Sequence, residues 1–372
     1  MRFLHTADWH IGKRLHGFSL AEEQAAAFAS LRAIAQAEKV DAIVLAGDLY
    51  DRSLPASESV VMLNQQLQML NLTDELPILG ISGNHDSAAR LGSGAPWYQN
   101  HNFFLSTTIA ESLTPLEYPE VQFYLLPYFE IFQVQQLFPE AKLPDLAAAF
   151  ALLAEKMQAS FNPQKKHVLV SHFFAAGAST SDSETKVQVG GLQAIPVDQL
   201  EIFDYVALGH LHNPQALQHP RIRYSGSLLP FSLSETNQQK GVVLVDVTAA
   251  GVTCEFVPIE PLHPVVELTA SFDDLRFNQE YLQHQEDFVG ICLTDTKVIP
   301  NVMTELRKIY PRLLKIERRQ ASGQHLPQVQ THFIQGNPLG VFAEYFQQVT
   351  TEKMTPQQEM ILQKATSQLE EK

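Results

Sequence analysis

The sequence predicts an α/β fold: a doubly wound strand–helix alternation at the N-terminus, strand pairs stacked on it, then a small α/β segment and terminal helices. Three observations predict it. Short apolar runs such as Ala42-Ile43-Val44-Leu45-Ala46 have the continuous hydrophobicity of strands buried on both faces. Segments with apolar residues at helical spacing separate the first of these runs from one another. Further on, two alternating segments meet at Gly251, the pattern of a hairpin.

Taken in order, Phe3-Leu4-His5-Thr6-Ala7 is the first strand and runs into Asp8-Trp9-His10. Ser19 with Glu22 has capping-box spacing, and the helix it opens extends to about Lys39 with Phe28, Leu31 and Ala35 on its inner face. Ala42–Ala46 ends in Gly47-Asp48-Leu49-Tyr50-Asp51-Arg52. A second helix covers about Ala56 to Leu70, and Pro77 starts the strand that leads into Gly83-Asn84-His85-Asp86. This is the doubly wound alternation. After a loop-rich stretch, a helix near Asp145 to Ala159 precedes Val168-Leu169-Val170 and Ser171-His172. The buried run Phe203 to Leu208 leads into Gly209-His210-Leu211-His212, and Gly241–Val247 with Val252–Val257 form the hairpin. Prolines 261 and 264 mark a boundary. Beyond them come a strand at Val265–Leu268, a helix around Asp274 to Gln283, a strand at Phe288–Leu293, a helix at Val302–Ile309 and a strand at Leu313–Ile316. Leu339, Phe342, Phe346 and Val349 then fall at helical spacing, and Thr355-Pro356-Gln357-Gln358 opens a last helix with Ile361, Leu362, Ala365 and Leu369 on it.

Composition narrows the class. The 372 residues are long enough for two or three domains, and 45% hydrophobic with 18% charged residues describes an ordinary globular protein. The longest apolar run, from Leu146 to Ala154, is far below the ~20 residues that cross a bilayer, and the N-terminus lacks a signal-peptide core. Two cysteines, Cys254 and Cys292, sit in apolar strand-like segments and read as inert core residues of a reducing compartment. A cytoplasmic protein with no membrane association is the expectation. A net charge of −15 argues against holding a polyanion on one broad basic face.

Five segments share one design, an apolar strand followed at once by Asp, Asn or His: Asp8-x-His10, Gly47-Asp48, Gly83-Asn84-His85-Asp86, Ser171-His172 and Gly209-His210-x-His212. Functional groups of an open α/β sheet gather beyond the carboxyl ends of its strands, so all five would meet in one crevice. The glycine before three of them is expected to let the backbone turn tightly as it leaves the sheet. Two Asp, one Asn and four His without Cys suit Mn²⁺, Fe²⁺, Zn²⁺ or Mg²⁺. Seven such groups exceed the need of one ion and suit two, about 3.5–4 Å apart. Two ions bring about four positive charges, which eases the objection from net charge.

These blocks, in this order, resemble the signature of the calcineurin-like metallophosphoesterases: D-x-H, G-D-x-x-D, G-N-H-D/E, a lone His and G-H-x-H. Gly83 to Leu91, Asp204 to His212 and Arg223 to Leu228 are similar to its SbcD branch, the nuclease subunits of bacterial double-strand-break repair complexes. The resemblance implies a two-sheet αββα sandwich at residues 1–258, a DNA-facing α/β cap at 259–322 and a helical partner-binding tail at 323–372. It places Asp8, His10 and His212 on one ion, Asn84, His172 and His210 on the other, and Asp48 between them, with Mn²⁺ the expected metal. His85 would protonate the leaving oxygen as water attacks phosphorus in line, and Asp51 and Asp86 would hold histidines in the required tautomer. Arg52 has a structural or a phosphate-positioning role. Lys13, Arg14 and Arg90 either contact DNA backbone or are solvated charges. The implied activity is exonuclease on duplex ends and endonuclease on hairpins or single strands, in a homodimer that works with an SbcC-type coiled-coil ATPase docked on the C-terminal helices. One rival is a stand-alone phosphatase or cyclic-nucleotide phosphodiesterase on the same core, and the cap and the apolar tail speak against it; the other is a non-catalytic DNA-end scaffold that keeps the fold, and the complete ligand set and His85 speak against that.

Overall fold

The computed structural model describes residues 1–180, 194–295, 297, 299–318 and 354–367, the last four by backbone alone. The chain forms two units, Met1–Arg319 and Gln320–Lys372. In chain order the principal strands of the first are β1 (Arg2–Thr6), β2 (Ala42–Ala46), β3 (Ile78–Ile81), β4 (Phe103–Ser106), β5 (Val121–Leu125), β6 (Lys166–His172) and β7 (Tyr205–Gly209). There follow β8 (Ile222–Tyr224), β9 (Gly241–Thr248), β10 (Gly251–Pro258), β11 (Val265–Ala270), β12 (Phe288–Leu293) and β13 (Leu313–Arg318). Its principal helices are α1 (Ala21–Ala37), α2 (Ser57–Gln68), α3 (Leu146–Gln158), α4 (Phe272–Phe277), α5 (Gln279–Leu282) and α6 (Val302–Arg307).

Two sheets lie face to face. The first runs β10-β9-β1-β2-β3-β4, with β1 to β4 parallel and the β9–β10 hairpin antiparallel beside β1. The second runs β8-β7-β6-β5, all parallel, with the short strand Leu116–Glu117 at its edge. Side chains alternate across each strand, so each sheet serves two cores. Phe3, Val44, Leu79 and Ile81 meet Phe123, Val168, Val170 and Tyr205 between the sheets. On the outer face of the first sheet, Leu4, Ile43 and Leu45 pack with Phe28 and Leu31 of α1 and Leu63 of α2. On the outer face of the second, Tyr124, Leu169 and Val206 pack with Phe150, Leu153 and Met157 of α3. Each large apolar side chain so buried stabilises the fold by about 1.5–3 kcal/mol relative to exposure. The layers are therefore helix, sheet, sheet, helix.

Several expectations change. The hairpin at Gly251 exists, yet it extends the first sheet, because β9 supplies the antiparallel neighbour that β1 lacks. The stretch read as loop-rich contains β4 and β5. Gln122 interrupts the apolar run of β5 and still lies buried, its amide bonded to Glu117 Oε1 at 2.7 Å and to the amide of Asn162 at 2.7 Å. Ser19 does not cap α1: its hydroxyl accepts from Ala21 N at 3.3 Å, and the cap residue is Leu20 with no side-chain bond. The helix expected around Asp274 to Gln283 is two helices, broken at Asn278, whose extended backbone and side chain start α5 by accepting from Glu280 N at 3.0 Å.

A third, parallel sheet, β11-β12-β13, carries α4 to α6 around Leu268, Leu275, Ile291, Leu306 and Tyr310. It rests on the α1 side of the first sheet through Val265, Phe288 and Leu314, with Phe288 edge-on to Phe18 at 6.0 Å. His263 Nδ1 meets Glu23 Oε1 at 2.8 Å across the same contact. In the second unit, α7 (Pro356–Ser367) opens with the expected reciprocal cap: Thr355 N donates to Gln358 Oε1 at 2.8 Å and Gln358 N to Thr355 Oγ1 at 3.4 Å. Met360 and Ile361 on it are exposed. Leu339, Phe342, Phe346, Val349 and Leu369 lie outside the described residues. No described helix is long and apolar enough to cross a membrane.

Candidate metal centre

All five segments leave the carboxyl ends of β1, β2, β3, β6 and β7, on the same edge of the two facing sheets. Main-chain bonds tie the first two together beyond the sheet: Asp8 N to Gly47 O at 3.0 Å, His10 N to Asp48 O at 3.0 Å and Ile11 N to Leu49 O at 2.9 Å. Asp8, His10, Asp48 and His210 all adopt positive φ, between 43° and 93°. Side chains other than glycine avoid that region at a cost of about 1–3 kcal/mol each, and such strain clusters at functional sites. The preceding glycines serve two purposes. Gly47 has φ 87° and makes the turn as expected. Gly83 and Gly209 do not have positive φ; they allow close approach, since a Cβ would overlap Asp48 at the first and Ala46 O at the second.

The side chains converge. His10 Nε2 lies 3.2 Å from His212 Nε2, 3.6 Å from Asp48 Oδ2 and 3.9 Å from Asp8 Oδ1. His172 Nε2 lies 3.3 Å from Asp48 Oδ2 and 2.9 Å from Asn84 Oδ1, and His210 Nδ1 is 3.0 Å from the same Asn84 oxygen. Three trios among the described residues, Asp8–His10–His212, Asp8–Asp48–His172 and His10–Asp51–His85, have their donor atoms all within 4.8 Å of one another. Asp8, His10, Asp48, His172 and His212 are buried.

This donor set fits cations. His172 Nδ1 donates to Ala46 O at 2.8 Å, which fixes the tautomer and leaves Nε2 facing two oxygens, Asp48 Oδ2 and Asn84 Oδ1. A neutral ring would set its lone pair against theirs, so the contact requires a proton or a metal ion. Burial disfavours the charged ring, yet Asp48 outweighs it and raises His172 to about 9, while Asp48 itself is lowered. Burial pushes the Asp8 carboxyl up to about 6 and His210 down to about 3, with His172 adding to the latter. His10 is also driven well down by burial, and its Nδ1 has no hydrogen-bond partner among the described residues.

His85 stands beside this group. Its amide donates to Asp48 Oδ1 at 2.8 Å, its Nδ1 donates to Asp51 O at 2.8 Å, and its ring meets His10 edge-on at 4.7 Å. Asp51 thus orients His85 through its main chain; its carboxylate binds Lys13 Nζ at 2.8 Å and is 4.0 Å from His10 Nδ1. The carboxylate of Asp86 is taken up by main-chain amides, those of Leu49 at 3.1 Å, Tyr50 at 2.9 Å and Gly83 at 2.9 Å. It joins two loops where a histidine contact was expected. Arg14 and Arg52, both exposed, line one groove of about 550 Å³ with Ile11 and Asp51, next to the cluster. Arg90 lines a different groove, with Trp97 and Tyr98.

Two functional candidates escaped the sequence reading. Phe231 packs against the rings of His10 and His212, 5.3 Å from each. Glu235 Oε1 is 3.4 Å from His212 Nδ1, and its carboxylate is held by Lys240 and lowered to about 2 despite burial, by His212 and Lys240. A signal existed: Glu235 and Lys240 are the only charged residues between Arg223 and Asp246.

The model of calcineurin-like phosphoesterases matches residues 1–214. The chain belongs to this family. It is therefore a phosphoesterase of the two-sheet α/β sandwich type. A second model, the type 5 capsule protein repressor C-terminal domain, matches residues 261–350. The chain is similar to the SbcD subunit of the nuclease SbcCD of Staphylococcus epidermidis, with 34% identity over 317 residues and 85% of each chain covered. A dimetal phosphatase from Danio rerio is a structural neighbour at 12% identity and TM-score 0.40, covering 70% of this chain and 99% of that one.

Proposed function

We propose that this phosphoesterase is a Mn²⁺-dependent DNA nuclease, acting on duplex ends and hairpins as the nuclease subunit of an SbcCD-type repair complex. The observation that carries the reading is the meeting of five strand-end segments around one set of oxygen and nitrogen donors. The similarity to an SbcCD nuclease subunit over 85% of each chain, including the segment after residue 260, supports DNA over a small phosphate ester.

Asp8, His10 and His212 would hold one ion and Asn84, His172 and His210 the other, with Asp48 shared. When bound, two such ions stabilise charge on the phosphodiester and on the water that attacks it. His85 is held beside the cluster by its amide at Asp48 Oδ1 and its Nδ1 at Asp51 O, and its ring would deliver a proton to the departing oxygen. Arg14 and Arg52 provide positive charge in the neighbouring groove for a sugar–phosphate backbone. This local charge, with the ions, offsets the acidic surface. Nuclease chemistry belongs to residues 1–258, the cap is residues 259–322, and residues 323–372 dock an SbcC-type ATPase. The homodimer and a cytoplasmic location belong to the same reading.

The test is cleavage of hairpin and blunt duplex DNA with Mn²⁺, Mg²⁺ or Zn²⁺, with and without the ATPase partner. Cleavage of both substrates, fastest with Mn²⁺, is expected. Activity confined to mononucleotides or phosphoproteins would replace this reading by a stand-alone phosphatase.

A further inference from the structure

We propose that Glu235 and Lys240 are positioning residues that fix both the ring and the main chain of His212, aiming its Nε2 at the first metal position. This rests on the two-ion reading of the site.

Glu235 and Lys240 are 0% and 4% exposed. Burying an ion pair removes two charges from water, and apolar substitutes of similar volume are often as stable or more so. A buried pair therefore calls for a local use, and its contacts supply one. Glu235 Oε1 faces His212 Nδ1 at 3.4 Å. An ionised carboxylate only accepts, so it selects the tautomer with the proton on Nδ1 and turns the Nε2 lone pair toward a cation. That Nε2 is the atom 3.2 Å from His10 Nε2. Lys240 completes the hold: Nζ binds the other Glu235 oxygen, the main-chain oxygen of His212 at 2.9 Å, Ser227 Oγ at 3.0 Å and Gln238 Oε1 at 2.9 Å. One cation thus pins the carboxylate and the histidine backbone together.

The short 3₁₀ turn that carries Glu235, Leu233–Glu235, is braced from behind. Leu233 packs on Gly290 of β12, where a Cβ would stand 2.8 Å from both leucine methyl carbons. Positioning of the ligand thus draws on the cap sheet as well as on the sandwich. Carboxylates that hold the distal nitrogen of a metal-bound histidine raise its basicity and fix its direction, and their loss typically weakens metal binding about 10- to 100-fold.

The experiment titrates Mn²⁺ by calorimetry into chelator-stripped full-length protein, and records melting of the metal-free form. The parent is expected to bind two ions. Glu235→Gln is expected to weaken one of the two steps by about 10- to 100-fold and leave the other unchanged. The double variant Glu235→Gln/Lys240→Met removes both buried charges. It is expected to recover the melting temperature of the metal-free parent without recovering the lost affinity. Parental Mn²⁺ affinity in the double variant would overturn the proposal and leave the pair a loop tie only. Nitrogen-15 NMR of the unsubstituted metal-free protein decides the same point without any variant having to fold, the His212 signals being assigned by comparison with His212→Gln. A proton on Nδ1 supports the proposal, and the Nε2–H tautomer overturns it. A parent that binds fewer than two ions counts against the two-ion reading itself, and the tautomer still decides the part of Glu235.

Discussion

His85 is oriented by a main-chain carbonyl, Asp51 O at 2.8 Å, and that choice has a consequence. A carbonyl that accepts from Nδ1 fixes the direction of the ring without setting a carboxylate against it. His85→Gln should therefore bind both ions with parental affinity while turnover falls by about 10²–10⁴, the usual contribution of a positioned proton donor. Calorimetry and single-turnover cleavage on one preparation check this, and a large loss of ion binding would make His85 part of the metal shell. His5 offers a contrast, a histidine kept out of the chemistry. It is buried between the sheets, accepts from the Tyr205 hydroxyl at 3.1 Å and donates to Leu208 O at 3.2 Å. Burial lowers its pKa to about 3. Between about 3 and 6.5 the unfolded chain binds a proton that the native state does not, so stability falls as pH drops through that window, by up to about 1.4 kcal/mol per unit. His5→Gln removes this term. In chelator, the urea midpoint of the variant should gain on that of the parent from pH 7 to pH 4; a constant gap would mean the native ring takes up the proton.

At the scale of elements, the site depends on how closely loops can approach. Gly209 ends β7 against Ala46 O, the same carbonyl that receives His172 Nδ1. A methyl group there overlaps the carbonyl and presses on the histidine that Asp48 needs. Gly209→Ala should cost about 1–3 kcal/mol, the usual range for overpacking, and should weaken Mn²⁺ binding. Thermal melting and titration would show both, and a variant that melts like the parent would mean the two sheets can part at this edge. The five strand-end segments were legible because each polar group directly follows an apolar run, a relation local in sequence. The reason for Gly83 and Gly209 was not legible: a turn and a close approach both ask for glycine, and only the neighbouring strand tells them apart. The strand around Gln122 was hidden for a similar reason. A buried amide looks like a surface residue until its partners, Glu117, Ser160 and Asn162, are seen.

For the whole molecule, catalysis and capture should separate. Deleting everything after Gln335 removes most of the segment assigned to the partner, residues 323–372, and leaves Met1–Arg318 in place. That variant should hydrolyse a small phosphodiester at the parental rate yet fail to retain an SbcC-type ATPase in a pull-down; retention would place the docking surface elsewhere.

By itself the sequence determined the α/β class and the order of the polar segments at the strand ends, because apolar runs and the polar groups that follow them are written side by side in the chain. Only the tertiary structure decided that the hairpin at Gly251 joins the first sheet, that Asp86 binds amides, and that Glu235 and Lys240 stand behind His212. Those outcomes depend on contacts between residues far apart in the chain, and hydrogen bonds of that kind leave no periodicity for a sequence to display.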